Sequence, residues 1–296
     1  MGEWRCPVCA GTSWAPARHT PSLVACTGCR LHRLDPIPSA EALTQLYVEA
    51  DASASRGLGA DHQSLPSHWK SQALTRLARA TAQPGIRGTA TRVALHPFAA
   101  HFRGLPSRHR RGRMIDVGSG MGLTLDILQQ IGWEVSGIEL DPHAAAARPE
   151  LPVFVGDLST IKIPEGSVDV VRAWHVVEHL RDPLEALQRM RGWLAPGGEL
   201  ILGVPNIDSA MRWWFRERWG GWRYPYHLYH FTPETIRALV MRAGFSEVRV
   251  RCASVGTVLD NLQVAANPVA RWLSIYLDLG FDLCGLGDGL EVRAAR

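Results

Sequence analysis

Three glycines spaced two apart, Gly118, Gly120 and Gly122, follow the run Arg113-Met114-Ile115-Asp116-Val117. The run reads as a short apolar strand, and Leu123, Ile127, Leu128 and Ile131 beyond the glycines share one helical face. A glycine turn between a strand and a helix lets backbone N–H groups approach a bound molecule with no Cβ in the way, so this corner is suited to a ligand. It is not the dinucleotide pattern G-x-G-x-x-G, because the third glycine comes one residue early. A second strand-like stretch, Glu134 to Glu139, ends in an acid at a distance suited to binding ribose hydroxyls. Histidines form another set. His175 and His179, four apart and hence on one face if helical, flank Glu178, while His227 and His230 lie between Tyr224 and Thr232. Histidine titrates near neutrality, so each is a candidate to take a proton during turnover. The cysteines make a third set. Cys6 and Cys9, then Cys26 and Cys29, are two C-x-x-C pairs with sixteen residues between them. That spacing suits a four-thiolate zinc site, which closes the tetrahedron and so would be structural and not catalytic. Paired disulfides are the competing reading, which loses in a reducing compartment.

The bulk composition limits the classes. A chain of 296 residues, 46% hydrophobic and 20% charged, has ample length for a core and an ordinary balance for a globular protein. No apolar run approaches the ~20 residues of a membrane span, and the first residues lack a leader-like apolar segment. The cytoplasm is therefore the expected compartment, and no membrane partner is expected. The net charge of +4 is carried almost wholly by arginine, concentrated at Arg103, Arg108, Arg110, Arg111 and Arg113. Such a patch could bind phosphate or nucleic acid, but a solvated connector is the favoured reading, so nucleic acid is not an expected partner.

Strands are expected near 113–117, 134–139, 152–155, 168–173, 199–204, 245–251 and 288–294, alternating with helices up to the sixth strand. Asp141-Pro142, Asp182-Pro183 and Thr232-Pro233 each place a capping side chain before a proline at the first helical turn, with Glu185 completing a box at the second. The pattern implies an α/β fold with a mostly parallel, Rossmann-like sheet of seven strands and helices on both faces, the last strand adding an antiparallel edge. Ligands in such sheets sit beyond the carboxyl ends of the strands. The expected organisation is a zinc ribbon over 1–36, a helical cover and linker over 37–110, the catalytic domain over 111–255, and C-terminal helices and a last strand over 256–296. Within it, 206–231 is an aromatic insert. Trp213, Trp214, Trp222, Tyr226 and His230 are its expected acceptor contacts, with a mobile lid as the functional reading and packing against the N-terminal helices as the structural one. Cys252 and Cys284 read as core residues.

The order Asp-x-Gly-x-Gly-x-Gly, then Gly137-Ile138-Glu139, Gly156-Asp157-Leu158, Ser167 to Val171, Glu178-His179-Leu180 and Leu194 to Leu200 resembles class I S-adenosylmethionine (SAM) methyltransferases. The resemblance covers roughly 111–255. It implies that Asp116, Gly118, Ser119, Gly120 and Gly122 hold the methionine end of SAM. Glu139 would take the ribose, with Leu140 beside it, and Asp157 with the Leu158 amide would take the adenine. The zinc-ribbon start and the segment from His227 to Thr232 are similar to the sugar C-methyltransferases, which implies His227 as general base and His179 as a second active-site histidine. Leu228 and Tyr229 depart from that family's Tyr-His-Glu-His run. His175-x-x-Glu178-His179 also resembles the metal motif of ubiquinone-type and RNA 2′-O-methyltransferases, with His175 where those carry an acid. The leading expectation is methyl transfer to a small-molecule acceptor, at a hydroxyl oxygen of a sugar, polyketide or other secondary metabolite. The alternatives are an RNA 2′-O-methyltransferase using a metal at His175, Glu178 and His179, and a non-catalytic zinc-ribbon binding protein on the same scaffold. The acceptor and the oligomeric state stay open.

Overall fold

The computed structural model describes residues 4–17, 22–39, 41–43, 45, 104–106, 112–254, 277–278 and 280–296. Most of the expected helical cover, nearly all of the arginine patch and most of the C-terminal helical segment lie outside these residues.

The main sheet has seven strands in the order β10-β11-β8-β7-β4-β5-β6. They are β4 (Arg113–Val117), β5 (Glu134–Glu139), β6 (Val153–Val155), β7 (Val168–Trp174), β8 (Leu194–Pro205), β10 (Ser246–Cys252) and β11 (Gly289–Ala295). Strands β6, β5, β4, β7 and β8 pair in parallel, whereas β11 is antiparallel to both neighbours. The expected antiparallel edge is thus corrected: β11 is inserted between β8 and β10, and β10 forms the edge. Side chains explain the order. Leu290, Val292 and Ala294 of β11 are buried, whereas β10 exposes Glu247, Arg249 and Arg251. Charged residues on an edge strand discourage pairing with another chain.

Helices α1 (Leu123–Gln130), α2 (Pro142–Ala146), α3 (Pro183–Trp193), α4 (Ala210–Phe215) and α5 (Pro233–Arg242) connect the strands. Asp141 caps α2 and Asp182 caps α3 through the His143 and Glu185 amides. The reciprocal capping box occurs on α5, between Thr232 and Thr235; at α3 the Glu185 carboxylate instead lies 3.6 Å from Arg189. Two apolar clusters form among the described residues. Met114, Leu125, Leu128, Trp133 and Val170 form one; Ile115, Val117, Val171, Leu187 and Leu239 belong to the other. Alternation along β4 sends Met114 and Ile115 to opposite sheet faces, which is why two clusters exist.

A second sheet, β1-β2-β3-β9, joins β1 (Trp14–Pro16), β2 (Leu23–Cys26) and β3 (His32–Leu34) to the two-residue β9 (Tyr229–His230). His32 opposes His230 and Arg33 opposes Tyr229. The N-terminal ribbon is therefore hydrogen-bonded to the segment carrying His227. Further bonds run from the Leu34 amide to the Leu228 carbonyl at 2.8 Å, and from the Arg242 guanidinium to the carbonyls of Cys6 and Pro7. Among the described residues, no helix is long and apolar enough to cross a membrane.

Candidate active site

Strands β4 and β7 are parallel neighbours with Val117 opposite Ala173, so the glycine turn and the segment from Trp174 to His179 leave the sheet side by side. They touch: a Cβ on Gly118 would come 2.5 Å from Val176 Cγ2. Gly118 also has φ of +67°, and Gly120 has φ of +53° with open space where its Cβ would be. The first glycine is required by packing and the second leaves the turn bare toward a ligand. Gly118→Ala is expected to cost about 2–4 kcal/mol, the left-handed strain plus the clash, readable by chemical denaturation.

Glu139 closes this turn. Its carboxylate accepts from the amides of Gly120 at 2.6 Å, Leu140 at 2.9 Å and Asp141 at 3.1 Å. A carboxylate has about four acceptor positions, so it can still accept from a hydroxyl. Leu140 is 50% exposed beside it, and Asp157 is exposed at the end of the next strand, holding the Ser159 amide, with Leu158 buried beneath. Ser119 is buried against Gly137 of β5. Asp116 is buried beneath the turn. Its side chain is 1% exposed, and both carboxylate oxygens accept from the Arg172 guanidinium at 2.8 and 2.9 Å. It therefore anchors β4 to β7 beneath the turn. Burial pushes the Asp116 carboxyl up, and Arg172 opposes that rise.

Glu178 is the centre of the histidine cluster, fully buried, and its position was not legible in the sequence. Its Oε1 lies 3.0 Å from His175 Nδ1, and its Oε2 has no hydrogen-bond partner. Burial acts to raise this carboxyl, but the His175 hydrogen bond together with the charges of His175, His179 and His227 outweighs it and holds the group well below the usual carboxylate range. His175 has φ of +56°, and Val177–His179 form a 3-10 turn. The expected pairing of His175 and His179 on one helical face is thus corrected. His227, from the far side of the insert, takes that place: its ring meets His179 edge-on at 4.7 Å. Its Nδ1 lies 2.8 Å from the Gly221 carbonyl, and His179 Nδ1 lies 3.0 Å from the Tyr226 carbonyl. A carbonyl can only accept, so each Nδ1 carries the hydrogen, which leaves Nε2 of His227 with its lone pair. Burial lowers His227 to about 4, so the ring is neutral near pH 7.

One ligand-competent atom from each of Glu178, His179 and His227 lies within 4.8 Å of the others, whereas His175 is not in this group. The ligand atoms that converge are thus not the expected trio His175, Glu178 and His179: His227 stands where His175 was expected. Among the described residues, the four cysteine sulfurs form the other such group. Cys6 Sγ lies 3.5 Å from Cys29 Sγ, and Cys9 Sγ lies 3.4 Å from Cys26 Sγ. Those separations are far beyond an S–S bond of ~2.05 Å. They approach the ~3.8 Å expected between thiolates on a tetrahedral zinc with bonds of ~2.3 Å.

The aromatic insert divides. Trp219 and Trp222 are buried, their indole N–H groups donating to Asp288 Oδ1 at 2.6 Å and to the Arg216 carbonyl at 2.7 Å. Tyr224 stacks on Trp222, and His230 meets Trp222 edge-on at 5.1 Å. His230 is buried with neither ring nitrogen hydrogen-bonded. Tyr226 is partly buried beside His227. Trp213 and Trp214 point outward, 78% and 79% exposed. The expected mobile lid is therefore half core: Trp222 is pinned, and Trp213 and Trp214 do not cover the histidines.

Strand order, glycine turn and the acid ending β5 together define the class I methyltransferase fold. The chain belongs to the methyltransferase-domain family, whose pattern matches residues 91–250, more than half of its length. It is 30% identical over 97 residues to a probable S-adenosylmethionine-dependent methyltransferase of Mycolicibacterium smegmatis, covering 31% of this chain and 38% of that one. It is 29% identical over 107 residues to a ubiquinone biosynthesis O-methyltransferase of Xanthomonas campestris, covering 33% and 45%. The matches thus span less than half the length of these curated relatives. A Burkholderia thailandensis 1,6-didemethyltoxoflavin-N1-methyltransferase, solved with 1,6-didemethyltoxoflavin and S-adenosylhomocysteine, superposes with a TM-score of 0.51 at 15% identity, covering 95% of this chain and 98% of that one. That last likeness is one of fold.

Proposed function

We propose that this chain transfers a methyl group from SAM to the hydroxyl oxygen of a small molecule, with His227 as general base and a structural zinc at Cys6, Cys9, Cys26 and Cys29. The observation that carries the reading is the contact of the glycine turn with the segment leading to the histidine cluster, through Gly118 and Val176. Bound SAM would supply an electrophilic methyl on a sulfonium. The bare turn from Gly118 to Gly122, with Ser119, accommodates its amino-acid end. Glu139 retains acceptor capacity for ribose hydroxyls, and Leu140, Asp157 and the Leu158 amide frame the base. Neutral His227 takes the hydroxyl proton as the oxygen attacks, while the Gly221 carbonyl fixes its tautomer and stabilises the imidazolium that forms. His179 packs against that ring, and Glu178 supplies a negative field to both.

A second reading is favoured by one observation, the unpartnered Glu178 Oε2 facing two histidines. Glu178, His179 and His227 would then hold a divalent cation, and nitrogen-rich donors suit a transition metal or zinc better than magnesium. The fit favours the set with His227 whether the acceptor is a small molecule or an RNA 2′-hydroxyl.

Calorimetry with S-adenosylhomocysteine tests the donor site. One molecule should bind per chain, and Glu139→Ala should weaken binding by about tenfold or more, the loss of charge-assisted hydrogen bonds. No binding to zinc-replete protein would leave the non-catalytic scaffold as the better account.

A further inference from the structure

The outward half of the aromatic insert has no part in the chemistry above, yet it is the most unusual surface among the described residues. Trp213 and Trp214 are consecutive on α4, and both indoles stand almost wholly in solvent. Arg216, Arg218 and Arg223 are exposed just beyond them, and the only acid between residues 209 and 233 is Glu217. The Ala210 amide bonds the Leu286 carbonyl at 3.0 Å, which brings a further apolar stretch beside the start of α4, where Leu283 is 80% and Leu286 45% exposed.

The exposure is built in and does not come from a frayed end. Ser209 caps α4 through the Arg212 amide and donates its own hydroxyl to Asp288 Oδ1 at 2.8 Å. Trp219 and Trp222 pin the following turn from inside. A segment fixed at both ends by buried groups is poorly made to swing shut over a pocket. It is well made to present a fixed face outward.

We propose that this face docks on the surface of an anionic lipid bilayer. Indole is the side chain that settles at the headgroup level, apolar in body with one N–H for the wet side. Guanidinium groups beside it meet lipid phosphates in paired hydrogen bonds and are drawn by the negative surface potential. Two adjacent tryptophans flanked by arginines match an interface with both properties, and the lack of a spanning helix says nothing against a surface contact.

The test is flotation and tryptophan fluorescence of the full chain with vesicles of phosphatidylcholine, with and without phosphatidylglycerol. Binding, with a blue shift, is expected only when phosphatidylglycerol is present, and it should weaken with salt. W213S/W214S and R216E/R218E should each weaken it by about tenfold or more, with an unchanged thermal unfolding profile showing that the fold is intact. Three results would overturn the proposal. They are equal binding to the two vesicle types, preferential capture by a single-stranded RNA oligonucleotide that displaces vesicles, and a self-association that W213S/W214S abolishes while vesicle binding is absent.

Discussion

His227→Ala is expected to lower methyl transfer by about 10²–10⁴-fold, the usual contribution of a positioned base, while S-adenosylhomocysteine affinity stays close to that of the unaltered chain. The separation follows from geometry. The proposed donor site comprises the turn after β4 and the acid ending β5, whereas His227 enters from the insert and hydrogen-bonds Gly221. Its loss removes the lone pair and leaves the turn untouched. Glu178→Gln discriminates between the two readings of the cluster. If His227 acts alone as base, Glu178→Gln still allows proton transfer and weakens it by removing the negative field, and chelators have no effect at the cluster. If the cluster holds a cation, Glu178→Gln and His227→Ala should both lower bound metal beyond the zinc at the cysteines, measurable as metal content per chain. Turnover unchanged in His227→Ala would remove this residue from both roles.

The legible parts of this protein are those set by neighbours in sequence. Strand positions β4 and β5 follow from alternation and flanking glycines, and they coincide with the expected 113–117 and 134–139. The cysteine cluster is legible because two C-x-x-C turns are each local. Failures occur where a distant partner decides. The period of 3.6 placed His175 and His179 on one face only if the segment were helical, but Val176 and Val177 are β-branched, which weakens helix formation. The segment instead turns back tightly, with His175 in the left-handed region. Strand β9 is two residues long and exists only because the ribbon's β3 pairs with it across almost two hundred positions. Nothing within Tyr229-His230 announces that. The four tryptophans between 213 and 222 look alike in sequence, and only the remote Asp288 distinguishes Trp219 as core.

Asp116, at a motif position, carries the largest stability effect. Asp116→Ala should destabilise the fold by about 3–5 kcal/mol, because it leaves the Arg172 guanidinium buried and without its counter-charge. That guanidinium lies over the Trp174 ring at 5.2 Å, and Arg172 is buried. Arg172→Met should cost less, since the stranded carboxyl can take up a proton whereas arginine cannot lose one. The sign of the pH dependence then separates the two variants. Burial already pushes the Asp116 carboxyl up, and without Arg172 it rises further. Its folded pKa then lies above its unfolded value, so Arg172→Met should be most stable in acid and lose stability as pH rises through the folded titration. Asp116→Ala, with no carboxyl to protonate, should lack that dependence. The double variant should recover part of the loss, because two apolar side chains can replace a buried pair at little cost. Denaturant unfolding across pH measures all three. Additive losses in the double variant would show that the contact between β4 and β7 contributes through packing, with the ion pair incidental.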